Sequence, residues 1–392
     1  MKDEKKAPKL RFKGFTDDWE QCKLKNKAEI VRGASPRPIS NPKWFDDNSN
    51  VGWLRISDVT EQRGRIHHLS QRISKAGQSK TRVITEPHLL LSIAATVGSP
   101  VINYVNTGVH DGFLIFLNPT FDKEFMFQWL LMFKPYWNKY GQPGSQVNLN
   151  SDIVGNQSVA FPTMSEQERI ADFFSKLDTA ITLHEEKERQ LERLKSALLQ
   201  KMFADKSGYP AVRFKGFNEA WTNRKLGNYF DYEQPTPYIV TNTNYSDEYN
   251  TPVLTAGQSF ILGYTNEDIG LKCATYKEPV IIFDDFTTST HLVTFPFKVK
   301  SSAMKILTLT QKNDSMYFGY TSLQNIKYKP LNHERQWISI FSKIKIGIPI
   351  SKIEERKIGN LFERIDHLDN YYQQKIERLN SIKQSLLQKM FI

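Results

Sequence analysis

Asp284-Asp285 in "IIFDDF" closes an apolar run, a position where nucleases hold a metal ion between carboxylates, so it is the first candidate for chemistry. No Glu-x-Lys partner stands within the usual reach, and the pair reads as a strand-end turn. "NPTF" at Asn118 to Phe121 lacks the second proline of the Asn-Pro-Pro-aromatic loop that clamps an adenine amino group, and no Gly-rich cofactor loop precedes it. "AGQSKT" at Ala76 to Thr81 ends in Lys-Thr without the GxxxxGK[ST] spacing that lets backbone N–H groups cradle phosphates; it reads as a basic turn. His67-His68 has no further ligand-like company and reads as a surface pair. Cys22 and Cys273 are too few for a disulfide framework or a four-ligand zinc site, and they point to a reducing cytosol. No catalytic residue, metal ligand or cofactor loop emerges, and the expectation is a chain that binds no cofactor of its own.

Binding chemistry is better represented. Lys and Arg number 53 against 42 Asp and Glu, a formal charge of +11, which favours a polyanionic partner and nucleic acid above all. Base edges are read by Arg, Lys, Asn, Gln, Ser or Thr, and phosphates by positive charge. In the first half, "RGRIHHLSQRISKAGQSKTR" concentrates Arg63, Arg65, Arg72, Lys75, Lys80 and Arg82. The Gly-broken "GQPGSQVNLN" adds Gln142, Ser145, Gln146 and Asn148. In the second half, "GYTNEDIGLK" offers Asn266 and Lys272, "TTSTH" offers Thr287, Thr288, Ser289 and His291, and "LQNIKYK" offers Gln324, Asn325 and Lys327. These clusters are the expected DNA-binding residues.

The elements that must position them are written twice. "LRFKGFTDDWEQCKLKN" from Leu10 and "VRFKGFNEAWTNRKLGN" from Val212 superpose Phe12 on Phe214, Gly14 on Gly216 and Trp19 on Trp221 at a constant offset of 202. A second repeat, beginning at Phe161 and Ile348, matches Ile170 to Ile358, Asp178 to Asp366 and Met202 to Met390 at an offset of 188. Both copies of the second repeat predict long helices, opened by capping boxes at Ser165-x-x-Glu168 and Ser351-x-x-Glu354. Apolar residues recur at three- and four-residue steps: Ile170, Phe174, Leu177, Ile181, Leu191, Leu194 and Leu198 in the first helix. Ile358, Leu361, Ile365, Leu368, Tyr372, Ile376, Leu379, Ile382 and Leu386 continue the pattern in the second. That is a coiled-coil stripe, and about 38 residues at ~1.5 Å each make a rod of roughly 55–60 Å.

One rod cannot bury its stripe alone, whereas two in antiparallel register can bury their stripes against each other. The expected fold is α+β: two mixed domains separated by a pair of long antiparallel coiled-coil helices, with a pseudo-twofold internal repeat. The domains fall at 1–160 and 205–347, and the helices at 161–204 and 348–392. In this plan the C-terminal "QKMFI" approaches the N-terminal "RFKGF" just as Met202 and Phe203 approach Arg213. The best apolar runs, Leu89 to Ala95 and Phe125 to Phe133, fall far short of the ~20 residues that span a bilayer. No secretory signal is visible behind "MKDEKKAPKL", and a cytoplasmic location is expected.

The order of variable domain, long helix, variable domain, long helix, with "RFKGF...W...KL" before each domain and "P...EQ..I" opening each helix, resembles the specificity (S) subunit of type I restriction-modification systems. The resemblance covers essentially the whole chain and is carried most specifically by "FPTMSEQERIADFFSKLD" at Phe161 to Asp178, its counterpart at Ile348, and "PVLTAGQSFILGYTN" at Pro252 to Asn266. One departure is Glu354-Glu355 where the first helix has Glu166-Gln167. The resemblance implies that each variable segment is a target recognition domain reading one half of a split double-stranded DNA sequence. It also implies that the helices space the halves and dock two methyltransferase (M) subunits, through which translocating restriction (R) subunits join. S-adenosylmethionine, ATP and magnesium would then belong to those partners, and the chain would direct adenine methylation and restriction without catalysis of its own. The alternatives are a DNA-modifying enzyme acting alone, and a coiled-coil scaffold with two interaction domains.

Overall fold

The computed structural model describes residues 7–93, 95–140, 149–205, 207–255, 259–330 and 335–391. The chain is mixed α/β and divides into two units, Met1–His184 with Lys375–Ile392, and Glu185–Gln374. Both divisions fall inside long helices, Met164–Lys201 and Lys352–Met390. Among the described residues no helix is long and apolar enough to cross a membrane.

In the first unit a five-stranded sheet runs in the order Glu29–Arg32, Phe113–Leu117, Leu89–Ser92, Pro100–Asn103, Arg65–Ile66, antiparallel except for its last pair. A three-stranded sheet joins Gly52–Trp53, Thr107–Val109 and Arg82–Ile84. The central strand Leu89–Ser92 is buried on both faces, which is why it reads as an unbroken apolar run. In the second unit a four-stranded sheet runs Phe230–Glu233, Met304–Leu309, Val280–Asp284, Thr290–Val293, beside a three-stranded sheet of Ile261–Thr265, Thr251–Leu254 and Lys298–Val299. The two units thus carry different contents.

Their frames share a set of matching contacts. The strand Glu20–Lys23 pairs antiparallel with Ser158–Phe161, and Thr222–Lys225 pairs antiparallel with Lys345–Ile348. The Leu10 N–H donates to the Lys389 carbonyl (2.9 Å), and the Val212 N–H donates to the Lys201 carbonyl (2.8 Å). Gly14 and Gly216 both turn the "KGF" segment with left-handed φ, +102° and +98°, a region closed to most side chains, so this glycine recurs in both copies. Arg11 reaches Glu166 through two hydrogen bonds of 2.6 and 2.7 Å, and Arg213 reaches Glu354 through two of 2.6 and 2.8 Å. In each unit the helix segments run in opposite directions past one another. Phe174 faces Phe391 and Asp178 binds Lys383 in the first, while Lys195 binds Asp366 and Phe203 faces Phe362 in the second.

Two expectations about the helices need correction. The first helix begins at Met164, so Ser165 lies inside it, and Glu166 and Gln167 donate their N–H groups to the Thr163 carbonyl. Neither capping box is the device at these helix starts. Glu354 is occupied by Arg213, and Glu168 is exposed. The stripe also wanders. Ile170, Phe174, Ile181, Ile358 and Ile365 are buried, whereas Leu177, Leu191, Leu198, Leu361, Tyr372, Ile376, Leu379 and Leu386 are half-buried. Leu194, Leu368 and Ile382 are exposed. Phe362 and Leu387, off the predicted stripe, are buried instead, because near its ends each helix turns its apolar side towards a globular core rather than towards the other helix.

Candidate nucleic-acid interface

In the first unit the cations from Arg72 to Arg82 are held by short backbone bonds that leave their heads in water. Ser74 caps the turn Lys75–Gln78, accepting from the Gly77 N–H, and its hydroxyl donates to the Lys43 carbonyl (2.7 Å). Thr81 Oγ1 donates to the Ala34 carbonyl (2.5 Å), Arg82 Nε to the Arg32 carbonyl (2.8 Å), and Arg72 Nη1 to the Ser49 carbonyl (2.7 Å). These bonds lay residues 72–82 along residues 32–49. The structure thereby brings the exposed Arg72, Lys75, Lys80 and Arg82 together with Arg32, Arg37 and Lys43 in one basic strip. Sequence reasoning missed the last three, although "VRGASPRPISNPKW" shows cations in a stretch broken by Gly, Pro and Ser. Arg37 is paired with Asp111, while Lys43 lies 4.3 Å from the Trp44 ring centroid. Arg63 is exposed at a left-handed turn, φ 51°.

Arg65 is a correction. Its guanidinium lies 4.5 Å from the Phe127 ring, is paired with Glu124, and donates to Asp178 at 3.0 Å. Burial opposes its charge, but Glu124 and Asp178 more than offset that and raise its pKa. Its charge is spent inside the fold and is withdrawn from the DNA-contact set. Gln142, Ser145, Gln146 and Asn148 lie outside the described residues.

In the second unit, "DDFTTST" is the hairpin between Val280–Asp284 and Thr290–Val293. Asp284 Oδ1 accepts from the N–H groups of Phe286 (2.7 Å) and Thr287 (3.2 Å), and its Oδ2 accepts from Thr287 Oγ1 (2.6 Å). Asp285 is buried with Lys305, the charged atoms 3.1 Å apart, and accepts from the Trp337 N–H. Both carboxylates are structural, and among the described residues no His, Cys, Asp and Glu cluster could hold a metal ion. Thr287 is exposed with its hydroxyl turned to Asp284; Thr288, at φ 62°, and Ser289 complete the tip.

His291 stacks on Phe260 with centroids 4.0 Å apart, and burial pulls its pKa below the ordinary range, so it contributes a ring and a neutral polar edge rather than a charge. Asn266 is exposed beside Glu267. Lys272 is paired with Glu233 and half-buried. Asn325 is half-buried, and its Nδ2 donates to the Leu199 carbonyl (3.3 Å) near the end of the first long helix. Gln324 is exposed and lines a cleft that Leu292, in the hairpin's second strand, also lines. Lys327 is exposed, as is Lys300, a cation that sequence reasoning passed over.

Next to Asn266, Glu267 fastens residues 241–242. Oε2 accepts from Lys298 Nζ (2.6 Å), and Oε1 accepts from the N–H groups of Thr241 and Asn242 and from both their side chains. The Lys298 bond leads the effects that hold this carboxyl down at about 2. A depressed carboxylate pKa contributes stability above the ordinary carboxylate range that is lost as pH falls through the folded value. The clamp is therefore expected to persist through pH 4 and open only as pH approaches ~2. Carboxyl-carbon NMR of Glu267 checks this, and Glu267→Gln should remove the titration; a midpoint near 4 would show that the clamp is not formed in solution.

Two similar frames each hold a different β-rich segment with exposed cations and amides. The Type I restriction modification DNA specificity domain matches residues 16–193. It is 45% identical over 150 residues to the Type I restriction enzyme EcoR124I/EcoR124II specificity subunit of Escherichia coli, a match covering 37% of each chain. It is 23% identical over 218 residues to the MjaVIII specificity subunit of Methanocaldococcus jannaschii, 52% of this chain and 48% of that one. The matched stretches span less than half the length of these curated relatives. The crystal structure of a type I restriction-modification system S subunit from M. genitalium aligns with a TM-score of 0.69 over 98% of this chain and 99% of that one at 14% identity, a likeness of fold.

Proposed function

We propose that this chain is the DNA-reading subunit of a type I restriction-modification complex and recognises a split target, one unit per half-site. In this reading the two long helices form an antiparallel coiled-coil spacer, and the units are related as a pseudo-twofold repeat. The chain itself is not catalytic. Two M subunits carrying S-adenosylmethionine methylate adenine N6, and R subunits carrying ATP and magnesium cleave, all in the cytoplasm. The observation that carries the reading is a duplicated frame holding unlike contents: Arg11–Glu166 and Arg213–Glu354 recur, while the sheets and exposed polar groups between them do not. Partner docking is supported by the apolar side chains left exposed on the helices, Leu183, Leu194, Leu368, Tyr371 and Ile382.

Co-expression with the M subunit in a methylation-free host, followed by mapping of N6-methyladenine, tests it. A bipartite motif is expected, and a continuous motif or methylation by this chain alone would overturn the reading. Within the first unit, Lys75→Ala and Lys80→Ala are each expected to weaken binding to cognate and altered duplexes alike. Each should also reduce the slope of log K against log salt by about one. Titration of both duplexes at several salt concentrations measures this, and a loss confined to one base pair would make these lysines base readers instead.

A further inference from the structure

We propose that the second unit binds a guanidinium cation in the cleft between its helix Met316–Gln324 and the long helix Lys352–Met390, the place that Arg65 fills in the first unit. The cleft has a volume of about 560 Å³. Equivalent contacts fix the correspondence. Phe125 and Phe318 make matching edge-on contacts with Trp19 (6.0 Å) and Trp221 (5.8 Å), three residues after the caps Asp122 and Ser315. Counting from them, Glu124 corresponds to Tyr317 and Phe127 to Tyr320, and the helix repeat makes Asp178 correspond to Asp366.

In the first unit these three positions hold one guanidinium: Arg65 lies on the Phe127 ring, pairs with Glu124 and donates to Asp178, which also binds Lys383. In the second unit Asp366 keeps the lysine, Lys195 at 2.6 Å, but among the described residues no second cation pairs with it. Lys195 is the only lysine or arginine among the described residues lining the cleft. Tyr320 supplies a ring, Tyr317 a hydroxyl 3.4 Å from Asp366, and Glu363 and Asp369 supply further carboxylates. Asp369 Oδ1 is buried and finds no hydrogen-bond donor among the described residues. Three carboxylates against one lysine make this a negative recess in a chain of charge +11, and an aromatic wall beside carboxylates suits a planar, weakly hydrated cation better than a compact ammonium.

The cation is either a free small guanidine or an arginine of a partner chain, and one set of titrations separates them. Agmatine added to the full chain is expected to bind saturably and more tightly than n-butylammonium. Binding should weaken about tenfold in Asp366→Asn, the fold-change expected when a charge-assisted hydrogen bond is removed. Thr294→Arg, which places a guanidinium on the exposed cleft wall, should abolish binding without disturbing the Asp366–Lys195 pair. Arg65→Ala should open a second agmatine site in the first unit. No saturable binding to the unaltered chain, equal affinity for n-butylammonium, or indifference to both Asp366→Asn and Thr294→Arg would overturn the assignment. Repeating the titration after assembly with the M subunit identifies the source: loss of agmatine binding assigns the site to a partner arginine, and its retention to a small guanidine. The measurement on the chain alone does not depend on the proposed function.

Discussion

Replacing Arg213 with methionine is expected to destabilise the second unit by about 3–5 kcal/mol, the range found when one partner of a buried ion pair is removed. The reason lies in Glu354, whose side chain is 0% exposed and whose two oxygens each accept from Arg213, at 2.6 and 2.8 Å. Without the guanidinium, a carboxylate is left in an environment that cannot solvate it. Replacing both partners with methionine should recover most of the loss, because the desolvation of two charges disappears along with their attraction. Hydrogen exchange of the strand Lys345–Ile348, read against urea, measures the change unit by unit. A loss under about 1 kcal/mol, or a double variant no more stable than the single one, would mean that the pair behaves as a surface salt bridge.

That pair also marks the boundary of what was readable in the sequence. Arg213 and Glu354 both stand inside recognised repeats, yet the sequence pattern assigns Glu354 to the reach-back position of a capping box, because local spacing is all that a capping pattern sees. The partner lies 141 residues away. A signal was present: the two copies keep Arg11 with Glu166 and Arg213 with Glu354 while the segments between them change, so the pairing was legible as a shared residue pair. Gln167 and Glu355 show the same rule with a changed residue. Gln167 Oε1 accepts from the Asp122 N–H and Glu355 from the Ser315 N–H, each binding the residue that caps the following short helix. The Gln-to-Glu departure noted in the sequence is therefore one device in two forms, with Lys352 balancing the added charge in the second.

Long helices were legible because their periodicity is a local property, whereas the binding groups were legible only as clusters. Arg65, Lys272 and Asn325 looked like their neighbours in composition. What separates Arg65 and Lys272 from Lys75 and Lys80 is that a carboxylate distant in sequence holds each charge in a half-buried place. Such commitments depend on sheet register, which strand propensity does not specify. The wandering of the helix stripe has the same origin. A heptad pattern registers one continuous partner, while these helices change partners along their length, so Phe362 and Leu387 are buried where Leu368 and Ile382 are not.

Phe391→Ala is expected to lower stability by about 3–5 kcal/mol, as for other buried phenylalanines truncated in a core. Although Phe391 follows the last helix, the loss should fall on the first unit. Its ring lies 6.5 Å from Trp19, 5.3 Å from Phe125 and 6.1 Å from Phe174, all centroid to centroid, and it is buried in the core built from residues near the other end of the chain. Phe203 occupies the matching place in the second unit, 6.2 Å from Trp221, 5.4 Å from Phe318 and 5.8 Å from Phe362, but it is half-buried. Phe203→Ala should therefore destabilise the second unit, by less, since less apolar area leaves water contact on folding. Hydrogen exchange resolved to the strands Glu20–Lys23 and Thr222–Lys225 separates the two outcomes. If Phe391→Ala weakened the second unit as strongly as the first, the end of the last helix would not be closing the first core, and the exchange of helix ends between units would fail as the principle of this fold.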